Sequence, residues 1–211
     1  MKQYIAAMDI GTSGCKSIIV DDEGVVVSSV IEEYPLYSPK PGWNEQDPED
    51  WWKGAYTSLH KAIDKSKVNP ADIKILSFSG QMHGLVAMDK DGKVIRRAFL
   101  WNDQRCAKQC QDVLRDLGGF EKLRCYTNNN MLPGYQGGKI LWLREMEPEN
   151  FERMAKAILP KDYLRYKLTG EYYTDVSDAS GTGLFDVKNR RYSQELLDRL
   201  QLSNDLFPTV V

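Results

Sequence analysis

Residues 8–20 read MDIGTSGCKSIIV. Two apolar runs, Tyr4–Met8 and Lys16–Val20, flank a Gly-Thr-Ser-Gly turn, with an acid, Asp9, at its mouth. An ordinary glycine-rich turn with an Asx cap has this composition. So does a phosphate site: Gly11 and Gly14 let backbone N–H groups approach an anion, and Thr12 and Ser13 add hydroxyl donors. In that second reading Asp9 orients a hydrated Mg²⁺. The stretch is not a Walker loop, because the GxxxxGK[ST] spacing is absent and a strand follows where a helix would be needed. The same reason excludes a dinucleotide fingerprint. Taken alone, these residues favour the ordinary turn, and Lys16, opening a strand, suits solvent as well as a phosphate.

Working outward, Asp22-Glu23-Gly24 signals a second turn, and Val25–Ile31 is a third strand rich in β-branched residues. A loop over Tyr34–Gln46 follows. Asp47, Pro48 and Asp50 supply a cap, a first-position proline and a capping-box acid for a helix. Its apolar positions Trp51, Trp52, Ala55, Leu59, Ala62 and Ile63 keep helical spacing, and it should stop before Asn69-Pro70. Ile73–Phe78 reads as a buried strand. Leu85–Met88 and Lys93–Ile95 flank Asp89-Lys90-Asp91-Gly92 as a hairpin, and Ala98–Trp101 is a further short strand. Beyond it the pattern predicts helices over Asp103–Leu117, Phe120–Cys125, Gly137–Glu145, Pro148–Ala157, Lys161–Leu168 and Tyr192–Leu200, with a strand end at Ala157–Leu159. Strands crowd the first half and helices the second, which implies an α/β fold with a helical insertion.

The 211 residues are 42% hydrophobic and 27% charged, with a formal net charge of −2 and interspersed signs. That balance fits a soluble globular protein and offers no basic field for nucleic acid. No apolar run approaches the roughly 18 residues of a membrane span, and MKQYIAAMDIG lacks a secretory apolar core. A cytoplasmic location is expected. Of the 4 cysteines, Cys15, Cys106, Cys110 and Cys125, the middle two lie on one face of a predicted helix. With no CxxC pair, and His60 and His83 not at ligand spacing, reduced structural thiols are expected in preference to zinc.

Two further turns carry polar groups at strand ends, where α/β proteins collect ligands. In SGQMHG (79–84), Gln81 and His83 each offer a donor and an acceptor, and Met82 offers an adaptable apolar wall, a set suited to a polyol. In LWNDQR (100–105), Trp101 suits stacking on a sugar face, and Asn102 and Asp103 suit its hydroxyls. Asp103 is also a natural N-cap for the helix after it. Trp43, Trp51, Trp52 and Trp142 read as packing residues, and His60 as structural. Asp175 and Asp178 are not assigned catalysis; Asp178 reads as a cap.

Asp-Ile-Gly-Thr-Ser followed by a strand and a DxxG turn resembles the first phosphate hairpin of the actin, hexokinase and Hsp70 ATPase superfamily. GWNEQDPEDWW (42–52), SGQMHG, LWNDQRC (100–106), LPKDYLRYKLTGE (159–171) and DVSDASGT (175–182) resemble, in order, the N-terminal domain of the FGGY carbohydrate kinases, and among these the xylulokinases. The resemblance runs from Tyr4 to about Pro208 and decides the opening question for the phosphate reading. It implies a ribonuclease H-like (actin/hexokinase/Hsp70 ATPase-type) α/β fold with a mixed sheet, as one domain over residues 1–211. It implies ATP and Mg²⁺ as cofactors, with Asp9 toward the metal and Gly11, Thr12 and Ser13 toward the terminal phosphates. It implies D-xylulose as substrate, held by Gln81, Met82, His83, Trp101, Asn102 and Asp103.

In xylulokinase-like enzymes the catalytic base is an aspartate in a Gly-Gly-Asp-Asn-type segment, and no such run occurs here. The expectation is therefore an N-terminal piece with little kinase activity alone, its base lying beyond Val211 and its partner a C-terminal kinase domain of the same protein. Ribulose, gluconate, fuculose or glycerol kinases of the same family, or a non-catalytic sugar-binding module, are the alternatives. Sequence does not fix oligomeric state, and a homodimer is compatible with it.

Overall fold

The computed structural model describes residues 2–211; the expected domain starts one residue earlier, at Met1, which lies outside them. In chain order the elements are β1 (Tyr4–Ile10), β2 (Gly14–Asp21), β3 (Val26–Glu33), β4 (Glu45–Gln46), α1 (Pro48–Ser66), β5 (Ile73–Gly80), β6 (Val86–Met88), β7 (Ala98–Phe99), α2 (Ala107–Leu117), α3 (Phe120–Thr127) and α4 (Gln136–Met146). They continue with α5 (Pro148–Arg153), β8 (Lys156–Ile158), α6 (Pro160–Thr169), β9 (Tyr173–Thr174), α7 (Val176–Ser180), β10 (Phe185–Asp186), β11 (Arg191–Tyr192), α8 (Gln194–Leu200) and β12 (Thr209–Val210). The chain divides into two compact units, the first made of Met1–Leu36 and Asp47–Gln81, the second of Tyr37–Gln46 and Met82–Val211.

The first unit is a four-stranded sheet in the order β3-β2-β1-β5. β1 to β3 form the expected antiparallel meander, and β5 runs parallel to β1, so the sheet is mixed. Period-two alternation buries Ala6, Met8 and Ile10 of β1 with Cys15, Ser17 and Ile19 of β2. α1 packs on this face, where Ala6, Ile19 and Ala62 form a small core. The buried hydroxyls are satisfied: Ser17 Oγ meets Ser58 Oγ at 2.7 Å, and Ser28 Oγ donates to the Ala62 carbonyl at 2.7 Å. α1 starts as its sequence dictates, with Asp47 accepting the Glu49 N–H at 3.0 Å and Pro48 in the first position. β5 departs from the expected buried strand. It ends the order of this sheet, and Ile75 is 54% exposed.

The second unit is mostly helical, with two-stranded pairings β4-β7, β6-β8, β9-β12 and β10-β11. Its core gathers Leu85, Phe99, Cys110, Leu123, Ile140, Trp142, Leu143, Leu184, Phe185 and Leu197. Three local expectations are corrected. Lys93–Ile95 is not a strand. The turn itself forms as expected: Asp89 accepts the Asp91 and Lys93 N–H groups at 2.9 Å, the Ile95 N–H donates to the Ala87 carbonyl at 2.9 Å, and Met88 bridges Val94, while β6 pairs in addition with β8. The helix predicted over Pro148–Ala157 stops at Arg153, because Lys156–Ile158 is drawn into that same pairing. α2 begins at Ala107 with Cys106 at its cap, not at Asp103. Cys106 and Cys110 are buried free thiols facing Gly138 of α4, where an added Cβ would lie 2.4 Å from Cys110 Sγ.

Candidate functional site

In the first unit the turn joining β1 and β2 is fixed from behind. The Gly11 N–H donates to the Gly14 carbonyl at 3.0 Å. A Cβ on Gly14 would sit 2.6 Å from the Glu32 carbonyl oxygen, so glycine alone lets β3 approach this closely. The Tyr34 hydroxyl donates to the Gly11 carbonyl at 2.5 Å, and its ring lies over Gly54 of α1, where a Cβ would meet it at 2.9 Å. Burial, with Cys15 and Asp9 nearby, pushes the Tyr34 hydroxyl far above its ordinary pKa, so it stays a donor.

Asp9 stands opposite Lys16 across the hairpin, and both are exposed. With Ala7 and Ile18 they line a cavity of about 360 Å³, closed on its far side by Ser77, Phe78 and Ser79 of β5. Gln81 is buried directly after β5, its N–H donating to the Ile10 carbonyl at 2.7 Å. Among the described residues no group of three or more His, Cys, Asp or Glu is arranged to hold a metal. A lone exposed carboxylate at a glycine-rich turn fits an ion that keeps most of its waters and takes its other ligands from phosphate oxygens, as Mg²⁺ does.

In the second unit three turns converge. His83 adopts a left-handed backbone (φ 63°), unusual for a residue with a side chain. Its ring packs on Tyr135, with centroids 4.7 Å apart, and lies over Gly181, where a Cβ would fall 2.2 Å from Nδ1. Burial and then the Lys139 charge lower the His83 pKa, so the ring is neutral near pH 7 and offers both a donor and an acceptor. The backbone of Gly134 presses on the Trp101 carbonyl, which a Cβ would approach to 2.9 Å. Met82 and Trp101 are about half exposed, at 51% and 46%. The Asn102 side-chain oxygen is buried with no hydrogen-bond partner among the described residues. An orphaned acceptor beside an exposed indole is what a hydroxyl-bearing ligand would satisfy.

Asp103 departs from its expected place. It is fully enclosed, and its carboxylate accepts from Arg105 Nε at 2.9 and 3.0 Å, from the Arg105 N–H at 3.0 Å and from the Asn44 N–H at 2.8 Å. These partners replace the helix cap, which Cys106 takes. Asn44 Nδ2 in turn donates to the Asn102 carbonyl at 3.1 Å, so Asp103 shapes the turn from within. Arg105 also pairs with Glu45 at 2.8 Å and lies 3.9 Å from the Trp43 ring and 4.1 Å from Phe99. Trp43 and Trp142 meet edge to face at 5.4 Å, which agrees with a packing role. Asp175, not Asp178, caps α7, accepting the Ser177 and Asp178 N–H groups. Lys161 joins Asp162, Asp175 and Asp178 at 3.0, 2.7 and 3.2 Å.

Reading the sequence missed Tyr135, Lys139 and Gly181. The signal was present in PGYQGGKILWL (133–143), a glycine-rich turn entering a helix with a lysine inside an apolar run.

The sequence matches the model of the FGGY family of carbohydrate kinases, N-terminal domain, over residues 4–211. The chain belongs to this family. It is similar to a xylulose kinase of Staphylococcus xylosus, 42% identical over 99% of this chain and 42% of the relative. Among solved structures, a xylulose kinase from Lactobacillus acidophilus matches with a TM-score of 0.92 at 31% identity, covering 99% of this chain and 42% of that one. A gluconate kinase from the same organism matches with a TM-score of 0.92 at 30% identity, covering 100% and 42%. This FGGY chain therefore has the α/β ATPase-type fold of the sugar kinases and spans 42% of the length of these relatives. No helix among the described residues is long and apolar enough to cross a membrane.

Proposed function

We propose that the chain is the sugar-binding part of an ATP-dependent pentulose kinase that converts D-xylulose to D-xylulose 5-phosphate. The observation that carries this reading is the second-unit cluster, where the turn with a neutral His83 ring and the turn with an exposed Trp101 and the orphaned Asn102 oxygen both abut Gly134 and Tyr135. The relatives named xylulose kinase favour a pentulose. Met82 and Trp101 supply apolar walls to the C–H face of the sugar. His83 and Asn102 hydrogen-bond its hydroxyls, and Asp103 sets the Asn102 turn from behind.

Mg²⁺-bound ATP supplies the phosphoryl group with its charge partly neutralised. Asp9 would orient the ion through water, and Gly11, Thr12 and Ser13 would present donors to the terminal phosphates. The chain's contribution is positioning, which converts an encounter into a near-intramolecular step. Asp103 is enclosed and already bonded, so it is a poor proton acceptor for the sugar. We place the base and the adenosine contacts in the further length that the relatives possess, in a C-terminal kinase domain.

Calorimetric titration of the chain with D-xylulose, D-ribulose, D-gluconate and glycerol tests the assignment, with D-xylulose expected to bind best. Preference for D-gluconate would move the reading to the gluconate kinases, which the structural likeness favours second. A coupled assay with ATP, Mg²⁺ and D-xylulose on residues 1–211 should show little turnover. Full turnover would refute the assignment of the base to another domain.

A further inference from the structure

Lys139, in the first turn of α4, is completely buried. Its ammonium makes no ion pair within 4 Å among the described residues. Its three N–H groups instead face four backbone carbonyl oxygens within hydrogen-bond distance, so that one N–H is shared: His83 at 3.3 Å, Pro133 at 3.0 Å, Tyr135 at 3.1 Å, and Gly134. One of these oxygens belongs to the turn that carries the His83 ring. The other three belong to the turn that carries Tyr135, against which that ring packs. Burying a charge is costly unless its partners hold it well, and a helix seeking only stability would place an apolar side chain here. What the charge achieves at this point is to tie two otherwise separate turns to one atom.

We propose that Lys139 is a positioning residue of the sugar site, its ammonium filling a cup of four carbonyls that locks the His83 and Tyr135 turns in their binding arrangement. This rests on the sugar-kinase reading for its ligand, but the locking itself does not. The groups facing the ammonium are Cys106 and Cys110 from the start of α2, Asp103 and Arg105 from the turn before it, and His83. Burial lowers the Lys139 pKa to about 8, with Cys106, Asp103 and Cys110 opposing the shift. The lock should therefore loosen as pH rises through about 8.

The test is a pair of variants of the whole chain, Lys139→Ala and Lys139→Met, each measured with and without ammonium chloride. Lys139→Ala leaves the cup open, whereas the methionine side chain fills it with carbon. D-xylulose affinity should fall about ten-fold or more in both. Ammonium should restore it in Lys139→Ala, and tetramethylammonium, which cannot donate, should not. A variant that binds D-xylulose like the parent, or a folded Lys139→Ala whose loss ammonium leaves untouched, would overturn the proposal.

The His83 and Tyr135 ring resonances, followed without sugar, report the lock directly. They should shift in Lys139→Ala and return with ammonium, even if the parent proves to bind no D-xylulose. In that event only the functional reading fails. Should the alanine and methionine variants not fold, a chain that keeps Lys139 decides the matter. With Cys106→Ser and Cys110→Ser in place to remove thiol titration, the same resonances should move with a midpoint near pH 8. Their constancy while the Lys139 ammonium itself is observed to lose its proton would refute the lock.

Discussion

Replacing Arg105 with methionine should destabilise the second unit by about 3–5 kcal/mol, the usual cost of removing one partner from a buried ion pair. The side chains of Arg105 and Asp103 are both 0% exposed, so water cannot replace the lost guanidinium. Glu45 keeps Arg96 as a partner. Asp103 keeps two backbone N–H donors, from Asn44 and from position 105, but no counter-charge within ion-pair distance, the Lys139 ammonium lying beyond 4 Å. Methionine is close to the volume of the arginine stem and can lie between Trp43 and Phe99, so lost packing is a minor part of the cost. The charge argument makes a second demand. Adding Asp103→Asn to Arg105→Met removes the stranded carboxylate, and the double variant should recover about 2 kcal/mol or more relative to Arg105→Met alone. Urea unfolding followed by tryptophan fluorescence measures each species. A loss below about 1 kcal/mol for Arg105→Met, or a double variant less stable than the single one, would refute the reasoning.

Gly138→Ala should cost about 1–3 kcal/mol by driving a methyl group into Cys110 Sγ, and Cys110→Ala should relieve it; additive losses in urea titration would contradict the clash. Tyr34→Phe removes the donor to the Gly11 carbonyl and should lower the stability of the first unit by about 1 kcal/mol, read as a shift in its urea midpoint. Lys139 sheds its proton at about pH 8 in the folded chain against 10.5 unfolded, so its burial penalty is greatest below pH 8 and fades as pH rises toward 10.5. The stability of the parent relative to Lys139→Met should therefore rise by about 3 kcal/mol across that window, and a flat difference would show that the ammonium is not desolvated.

Much of the first unit was legible because its decisive interactions are local. Asp47 and Pro48 start α1 with contacts to the next two residues, and the glycine-rich turn between β1 and β2 needs no distant partner to be recognised. Where the reading failed, a distant partner had intervened. Lys156–Ile158 left the predicted helix to pair with β6, and Asp103 found Asn44 and Arg105 where its type alone suggested a helix cap. Met82, His83, Trp101 and Asn102 stood out because they combine apolar faces with donors and acceptors in turns that follow strands. Lys139 was missed because lysine is ordinarily a surface residue, and its partners are backbone oxygens that carry no side-chain signature.

The turn between β1 and β2 has its shape imposed from outside itself, by the Glu32 backbone pressing on Gly14 and by Tyr34 braced on Gly54. Ser13 is joined to that frame through its backbone, its carbonyl accepting the Tyr34 N–H at 3.4 Å. A turn braced in this way from β3 and α1 keeps its backbone path fixed by contacts that lie far from it in sequence, so a substitution at Gly54 would reshape it from a distance.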